Sequence, residues 1–394
     1  MKLPKDIKYY IFILALSIFT IARSQKASLK VADSLYTIGN YTKAIKVYEN
    51  IDPKDDYIFL KIAKAHKAKG TYTDALAYYE KVLQLDAELL SAKLEYAKLL
   101  TTTRTYKKAD SVYASLVSQY PDNPNFYYQL GSVKKKQKDS TAIVYFKEAF
   151  KLDSTHQKSC FEVAKHYLKK RNYNRVEDVA NKGLSSYSEN PELINILGQN
   201  YLLRKYYYEA IPYFEKLITL NHGNEYVHAS LALCYHKNYD YKLAITQYQE
   251  ALKYNDQVPL RYTRMAEAFT RLDMHNEALA NHTKALLLKN LPVEQEFLNV
   301  AMSHRHLENW EEAIKYAKLA LKENPEFIRA QYQLAVFADA YYKDPKVKLE
   351  YYNLFMKKFG NSKDTKNFYG FMVNKRITQL EKEIQTSEKA VVEN

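Results

Sequence analysis

Pairs of lysines recur along the first half of the sequence at spacings that place both members on one side of a helix. Lys64 and Lys67 are three residues apart, and Lys165 and Lys169 are four apart. Residues at these spacings share a face of an α-helix, so each pair can present two ammonium groups together. Clustered ammonium groups attract carboxylates and phosphates, which predicts binding to an acidic partner.

Histidine and cysteine, which often bind metals or act as nucleophiles, do not form a recognisable site. His304 and His306 are two residues apart and point to different sides of a helix. No His-Glu-x-x-His helix, glycine-rich phosphate loop or Gly-x-Ser-x-Gly segment occurs. The two cysteines, Cys160 and Cys234, have no Cys-His-Asn context, and we predict two buried free thiols. The sequence therefore predicts no enzymatic activity, no cofactor and no metal site.

The chain is basic, with a formal net charge of +14 from 59 basic and 45 acidic residues among 394. This balance favours an acidic partner or an anionic surface. The lysines are spread along the chain, and no zinc-ligand spacing, aromatic RNA-binding motif or continuous basic arm accompanies them, so nucleic acid is not the favoured partner. The lysine run at residues 134–138 falls at a helix end and turn, where a solvated face is the simpler explanation.

The composition favours long helices. Tyrosine is abundant at 38 residues, while glycine (8) and proline (10) are scarce, which disfavours turn-rich all-β folds. The apolar fraction of 47% and the charged fraction of 26% are ordinary for a folded chain, so neither disorder nor a polytopic membrane protein is indicated.

Small residues recur in two series with a step close to 34 residues. The first series is Ala32, Ala63, Ala97, Gly131, Ala164, Gly198, Ala232, Ala266, Ala301 and Ala335. The second follows it by twelve residues, or eleven in the fourth repeat: Ala44, Ala75, Ala109, Ala142, Val176, Ala210, Ala244, Ala278, Ala313 and Val347. An aromatic residue commonly stands four places after the second small residue, on the same helical face. Each repeat is therefore predicted to be two amphipathic helices joined by a short turn.

These residues resemble the tetratricopeptide repeat family. Residues 70–76 (Gly-Thr-Tyr-Thr-Asp-Ala-Leu) and 309–314 (Asn-Trp-Glu-Glu-Ala-Ile) are similar to its second-helix signature, and the 34-residue step matches its period. The resemblance covers about residues 26–360. It implies an all-α tetratricopeptide-type α-solenoid, a right-handed superhelix of about ten helical hairpins with a C-terminal capping helix.

Three segments are predicted along the chain. Residues 1–24 have a lysine-rich start, an apolar stretch at 9–22 and small residues at Ala22 and Ser24, which is typical of a signal peptide cleaved after Ser24. An uncleaved N-terminal anchor remains the alternative. Residues 25–360 form the repeat array, and residues 361–394 form a capping helix, with an apolar stripe through Val373 and Leu380, and a frayed tail. We therefore expect an exported bacterial protein, periplasmic, associated with the cell envelope or secreted.

The resemblance further implies a concave groove lined by the first helix of each hairpin. The groove-facing places are one, four and five residues after the first small residue. In repeats two to five they hold Lys64, Lys67, Lys98, Lys135, Lys136, Lys165 and Lys169, and in later repeats they include the apolar Leu233 and Met302 together with His236. The two halves of the groove are predicted to prefer different ligands. The lysine and asparagine pattern by which the family binds chaperone tails is absent.

The sequence therefore predicts a non-catalytic scaffold that binds a partner protein or peptide, with an acidic segment, in its concave groove. Two alternatives remain open. One is an accessory subunit that presents substrates to a separate catalytic, secretion or transport complex. The other is the sensor part of a signalling system.

Overall fold

The computed structural model describes residues 25–290, 292–360 and 368–392, and all regular structure in these ranges is α-helical. The predicted signal peptide lies outside the described residues. The helices up to Tyr187 are α1 (25–37), α2 (Tyr41–Glu49), α3 (Asp56–Lys69), α4 (Tyr72–Leu85), α5 (Leu90–Thr102), α6 (Tyr106–Gln119), α7 (Pro124–Lys136), α8 (Ala142–Leu152), α9 (Gln157–Lys169) and α10 (Tyr173–Ser186). The later helices are α11 (Pro191–Leu203), α12 (Tyr207–Thr219), α13 (Glu225–Lys237), α14 (Tyr241–Tyr254), α15 (Pro259–Arg271), α16 (His275–Leu288), α17 (Glu294–His306), α18 (Trp310–Glu323), α19 (Ile328–Tyr341), α20 (Pro345–Phe359) and α21 (Phe368–Val392).

The chain divides into two compact units, the first ending at Tyr187 and the second beginning at Ser188. Within each unit the helices pack against their neighbours along the chain, which is the arrangement of stacked hairpins. The odd-numbered helices from α1 to α19 are the first helices of these hairpins, and the even-numbered helices are the second. The predicted all-α solenoid of helical hairpins is confirmed.

Burial of the small residues confirms the predicted repeat register. All ten members of the first series are buried, and so are nine of the second series, from Ala44 to Ala313. Small side chains at these places let the two helices of a hairpin approach closely. Where the first small residue is a glycine, a phenylalanine ring fills the vacant space: a Cβ on Gly131 would lie 2.9 Å from the ring of Phe146, and one on Gly198 would lie 3.0 Å from that of Phe214.

The tenth hairpin departs from this register, and the prediction for Val347 is wrong. Val347 is only half-buried, and Tyr352 is buried in place of Tyr351. Helix α20 begins ten residues after Ala335, whereas α18 begins nine residues after Ala301. One additional turn residue rotates the following helix by about 100°. Lys348, the fourth residue of α20, consequently takes the place that Ala313 has in α18, and it makes an ion pair of 3.2 Å with Asp339.

Helix α21 covers the end of the second unit. Val373 and Leu380 are fully buried against α20 and α19, in the stripe that the sequence predicts. Arg376 anchors the helix, with its Nε donating to Asp339 Oδ2 at 2.7 Å. Burial acts to raise the pKa of the Asp339 carboxyl, but Arg376, together with Lys348 and Tyr352, holds that pKa below its ordinary value.

Both cysteines are buried and free, as predicted. Burial raises the pKa of the Cys160 thiol, and that of the Cys234 thiol, to about 12, so each stays protonated at neutral pH. None of the helices in the described ranges has both the length and the apolar character needed to cross a membrane.

Candidate functional site

The lysines predicted to line a groove in the first unit lie on its first helices. Six of the seven are exposed, namely Lys64 of α3, Lys98 of α5, Lys135 and Lys136 of α7, and Lys165 and Lys169 of α9, while Lys67 is half-buried. Helix formation alone explains their shared orientation, because they recur at equivalent places of successive repeats. The structure therefore places all seven lysines on the first helices of their hairpins, as the sequence predicts.

Glutamates from neighbouring first helices neutralise part of this lysine face. Lys67 of α3 pairs with Glu95 of α5, which is also 3.3 Å from Lys98 Nζ. Lys135 of α7 pairs with Glu162 of α9 at 2.6 Å. Burial acts to raise the pKa of Glu95, but the hydrogen bonds and charges of Lys67 and Lys98 together outweigh burial, and the pKa is lowered. Glu95 is therefore ionised at neutral pH and balances the lysines around it.

These glutamates were not predicted as part of the surface, although the sequence carries a signal for them. Glu95 stands two residues before Ala97, and Glu162 stands two residues before Ala164. In these two hairpins the place two residues before the first small residue therefore supplies a half-buried carboxylate beside the lysines. The 34-residue period that locates the lysines would have located both carboxylates.

The second unit contains a groove of about 1180 Å³ on its first helices. Helices α13, α15 and α17 supply most of the wall, with His282 from α16 and Arg329 from α19. Seven lining residues stand one, four or five places after a small residue: His236, Lys237, Glu267, Thr270, Arg271, Met302 and His306. The predicted residues His236 and Met302 thus lie in one groove. Leu233 is half-buried on α13 and lies outside the lining set.

Three cations of this groove are exposed and lack an acidic partner in the described part of the chain: Lys237, Arg271 and Arg329. They were not predicted, although Lys237 and Arg271 each stand five places after a small residue. The fourth cation, Lys289, pairs with the buried Glu296 at 2.6 Å. The remaining carboxylate, Glu267, faces the imidazole of His236 at 3.5 Å.

The histidines of the groove are neutral at pH 7. Burial lowers the pKa of His236 to about 4, and Lys237 and Arg271 contribute to the same shift. His282 is buried with its Nδ1 2.7 Å from Ser303 Oγ, and burial lowers its pKa to about 4 as well. His306 stacks on His275 with ring centroids 4.9 Å apart. In the described ranges, no three His, Cys, Asp or Glu side chains are grouped to hold a metal ion.

Comparison with known families gives two matches, both to models described as tetratricopeptide repeat. One covers residues 66–130 in the first unit, and the other covers residues 191–223 in the second. Both segments consist of the helical hairpins described above.

Two curated relatives carry the same repeats. The TPR repeat-containing protein MJ1428 of Methanocaldococcus jannaschii is 26% identical over 231 residues, which is 56% of this chain and 40% of that protein. The TPR repeat-containing protein YpiA of Bacillus subtilis is 25% identical over 248 residues, covering 61% of this chain and 57% of that protein. The chain thus spans about half the length of these relatives.

Similar solved structures include YrrB, titled a TPR protein with an unusual peptide-binding site, at a TM-score of 0.44 and 20% identity. That match covers 47% of this chain and 95% of YrrB. The MamA protein is 18% identical at a TM-score of 0.40, covering 43% of this chain and 92% of MamA.

Proposed function

We propose that the chain is a tetratricopeptide repeat protein and that it is a non-catalytic scaffold which holds another protein against its first helices. The repeats occupy nearly all of the described residues, and their function is to present an extended surface rather than a reaction centre. Stacked hairpins bury their apolar faces against each other. The groove-facing side of the first helices stays exposed and can contact a partner.

The groove of the second unit is the observation that carries this proposal. Much of its wall is formed by equivalent places on consecutive first helices, so a ligand that extends along the groove contacts a set of side chains from each hairpin. A volume of about 1180 Å³ is ample for several residues of an extended chain. Thr263 of α15 lies in the wall, while Leu243 is 50% exposed on the second helix α14.

Site-specific photo-crosslinking tests this proposal in the native cell. We expect benzoylphenylalanine at Thr263 to yield a covalent adduct with a partner protein, and the same probe at Leu243 to yield none. Mass spectrometry of the adduct identifies the partner. Adducts of equal yield at both positions, or at Leu243 alone, would show that the groove is not the binding surface.

The first unit contributes a second contact surface in this proposal, formed by the exposed lysines Lys64, Lys98 and Lys165. Conversion of all three to glutamate is expected to release a partner with an acidic segment while the hairpins stay folded, because exposed side chains contribute little to stability. The control converts Lys46, Lys81 and Lys108, which lie on second helices, to glutamate. Retention of the same partner at the same salt concentration by both variants would exclude the lysines from the interface.

We also propose that the protein is exported, because residues 1–24 have the order of charge, apolar stretch and small residues of a signal peptide. The mature chain is then expected to begin at Gln25 and to occur in the periplasmic, envelope or extracellular fraction. N-terminal sequencing of the purified protein tests this expectation. A membrane-bound product that retains residues before Tyr9 would instead indicate an uncleaved anchor.

A further inference from the structure

Resting on the proposed scaffold function, we propose that the groove of the second unit binds an extended acidic segment of the partner, with carboxylates placed about three residues apart. The three cations without acidic partners, Lys237, Arg271 and Arg329, line this groove together with exposed apolar side chains. The proposal therefore adds an acid-binding surface in the second unit to the lysine surface of the first, and names the residues that form it.

The charge of the groove favours an acidic ligand. Its lining includes four cations, Lys237, Arg271, Lys289 and Arg329, and two carboxylates, Glu267 and Glu296, for a net charge of four minus two, or +2. The Lys289 and Glu296 charges cancel in a 2.6 Å ion pair. Three exposed cations against Glu267 therefore set the potential that a ligand meets, and an arginine fork binds a carboxylate through two parallel hydrogen bonds.

The lysine face of the first unit differs in this respect. Lys67 and Lys98 share Glu95, and Lys135 pairs with Glu162, so part of that face is already neutralised within the protein. A ligand carboxylate would have to compete with these glutamates. In the second unit Lys237, Arg271 and Arg329 form no ion pair within the described ranges, so a ligand carboxylate need not displace a glutamate from them.

Repeat geometry determines the spacing of the ligand's acidic residues. Lys237 and Arg271 occupy the same place, five residues after Ala232 and Ala266, on successive first helices. Packed helices lie about 8 to 10 Å apart. An extended chain in the polyproline II conformation has three residues per turn and rises about 3.1 Å per residue, so side chains three residues apart share one face at a separation of about 9 Å. Carboxylates three residues apart on such a chain therefore match the spacing of successive first helices.

The other lining residues favour a peptide over a nucleic acid. Glu267 lies beside the cations and would repel a backbone that carries a phosphate at every nucleotide, whereas a peptide can place an uncharged residue there and donate a main-chain N–H to it. Asn299 and Thr270 add amide and hydroxyl groups that suit a peptide main chain. Tyr239 is 77% exposed and Leu260 is 54% exposed, so apolar side chains between the acidic residues of the ligand can pack against them.

A displayed library of random twelve-residue peptides, selected on the chain beginning at Gln25, tests the proposal. We expect the enriched peptides to share two Asp or Glu residues three places apart. A synthetic peptide of the enriched sequence should bind about 30-fold more weakly to the variant with Lys237→Glu and Arg271→Glu, because two attractive pairs become repulsive. Raising the salt concentration should weaken its binding to the unaltered protein.

The matched control carries Lys242→Glu and Lys284→Glu, two exposed lysines of the second helices α14 and α16. It has the same change in net charge and should bind the peptide within about twofold of the unaltered protein, because the exchanged charges are screened from the groove. Circular dichroism of both variants should match that of the unaltered protein. Weaker peptide binding would then come from lost contacts and not from unfolding.

Each remaining outcome overturns the proposal in a recognisable way. Enriched peptides without a spaced acidic pair, or equal binding by the groove and control variants, would show that the groove selects another peptide chemistry while the scaffold function stands. Tighter binding of a single-stranded twenty-nucleotide DNA, lost in the groove variant, would make nucleic acid the ligand. No enriched peptide, together with no adduct at Thr263, would refute the scaffold function itself.

Discussion

At the scale of single residues, tyrosine hydroxyls that are buried at the same position of different repeats have different surroundings. Tyr48 and Tyr79 each stand four residues after a second-series alanine, and both are fully buried. The Tyr48 hydroxyl donates to Asp33, which also accepts from Lys61 at 2.8 Å. The Tyr79 hydroxyl is buried with no hydrogen-bond partner in the described part of the chain. One hydroxyl therefore stabilises the fold, and the other opposes it.

This contrast predicts opposite effects of the same substitution. Tyr48→Phe should lower the free energy of unfolding by about 1 to 2 kcal/mol, because it leaves Asp33 short of a donor. Tyr79→Phe should raise it by about 1 kcal/mol, because it removes a buried group whose hydration is lost on folding. Urea unfolding followed by circular dichroism measures both. Equal losses in the two variants would show that the Tyr79 hydroxyl has a partner, such as a buried water.

At the scale of the helical hairpin, nine turns share a residue in the left-handed backbone region. Only the first two of these are glycines: Gly39, Gly70, Arg104, Lys138, Arg171, Lys205, Tyr239, Asp273 and Glu308. A hydrogen bond closes each turn, as when Thr71 N donates to His66 O at 3.0 Å. This conformation costs a residue with a Cβ about 1 to 2 kcal/mol, so the later turns contain local strain.

Exchanging residues at this turn place should change stability in a predictable direction. Lys205→Gly should raise the free energy of unfolding by about 0.5 to 1 kcal/mol, since relief of strain exceeds the added entropy of an unfolded glycine. Gly70→Ala should lower it by about 1 kcal/mol through backbone strain alone, because a Cβ there meets no atom within 4 Å. Thermal unfolding of both variants checks these signs, and a destabilised Lys205→Gly would mean that the lysine side chain stabilises the turn.

At the scale of the whole molecule, buried histidines make stability depend on pH. Burial lowers the pKa of several imidazoles, including those of His236 and His282 to about 4. A histidine whose folded pKa is lowered stays neutral in the fold but takes up a proton when the chain unfolds. The contribution is therefore complete above the unfolded pKa of about 6.5 and is lost as the pH falls toward the folded value.

The second unit should consequently lose stability between pH 7 and pH 4. For His282, which is 7% exposed, the loss should reach about 2 kcal/mol at pH 5. Fluorescence of Trp310, the single tryptophan, reports unfolding of this unit in urea at each pH. His282→Phe, which introduces the residue found at the equivalent places Phe146 and Phe214, should flatten the dependence. An equal slope in this variant would assign the effect to other groups.

The sequence by itself determined the helical hairpins and their buried residues. The helix signal depends on spacings of three, four and twelve residues, and contacts at these separations are made within one hairpin. Burial of nine second-series residues from Ala44 to Ala313 follows from this local chemistry. Val347 was predicted wrongly because one additional turn residue rotates α20, and the periodic pattern contains no signal for that change.

The tertiary structure alone decided which charges are neutralised and which remain available. Lys67 and Glu95 are 28 residues apart in the sequence and meet only because α3 and α5 lie side by side. The same packing brings Lys237 and Arg271 into one groove, where neither forms an ion pair with any residue of the described ranges. Ion pairs depend on a few ångströms between separate helices, while helix periodicity depends on neighbours along the chain. For this reason the lysine face was visible in the sequence, whereas its balance of charge emerged only when the helices were packed.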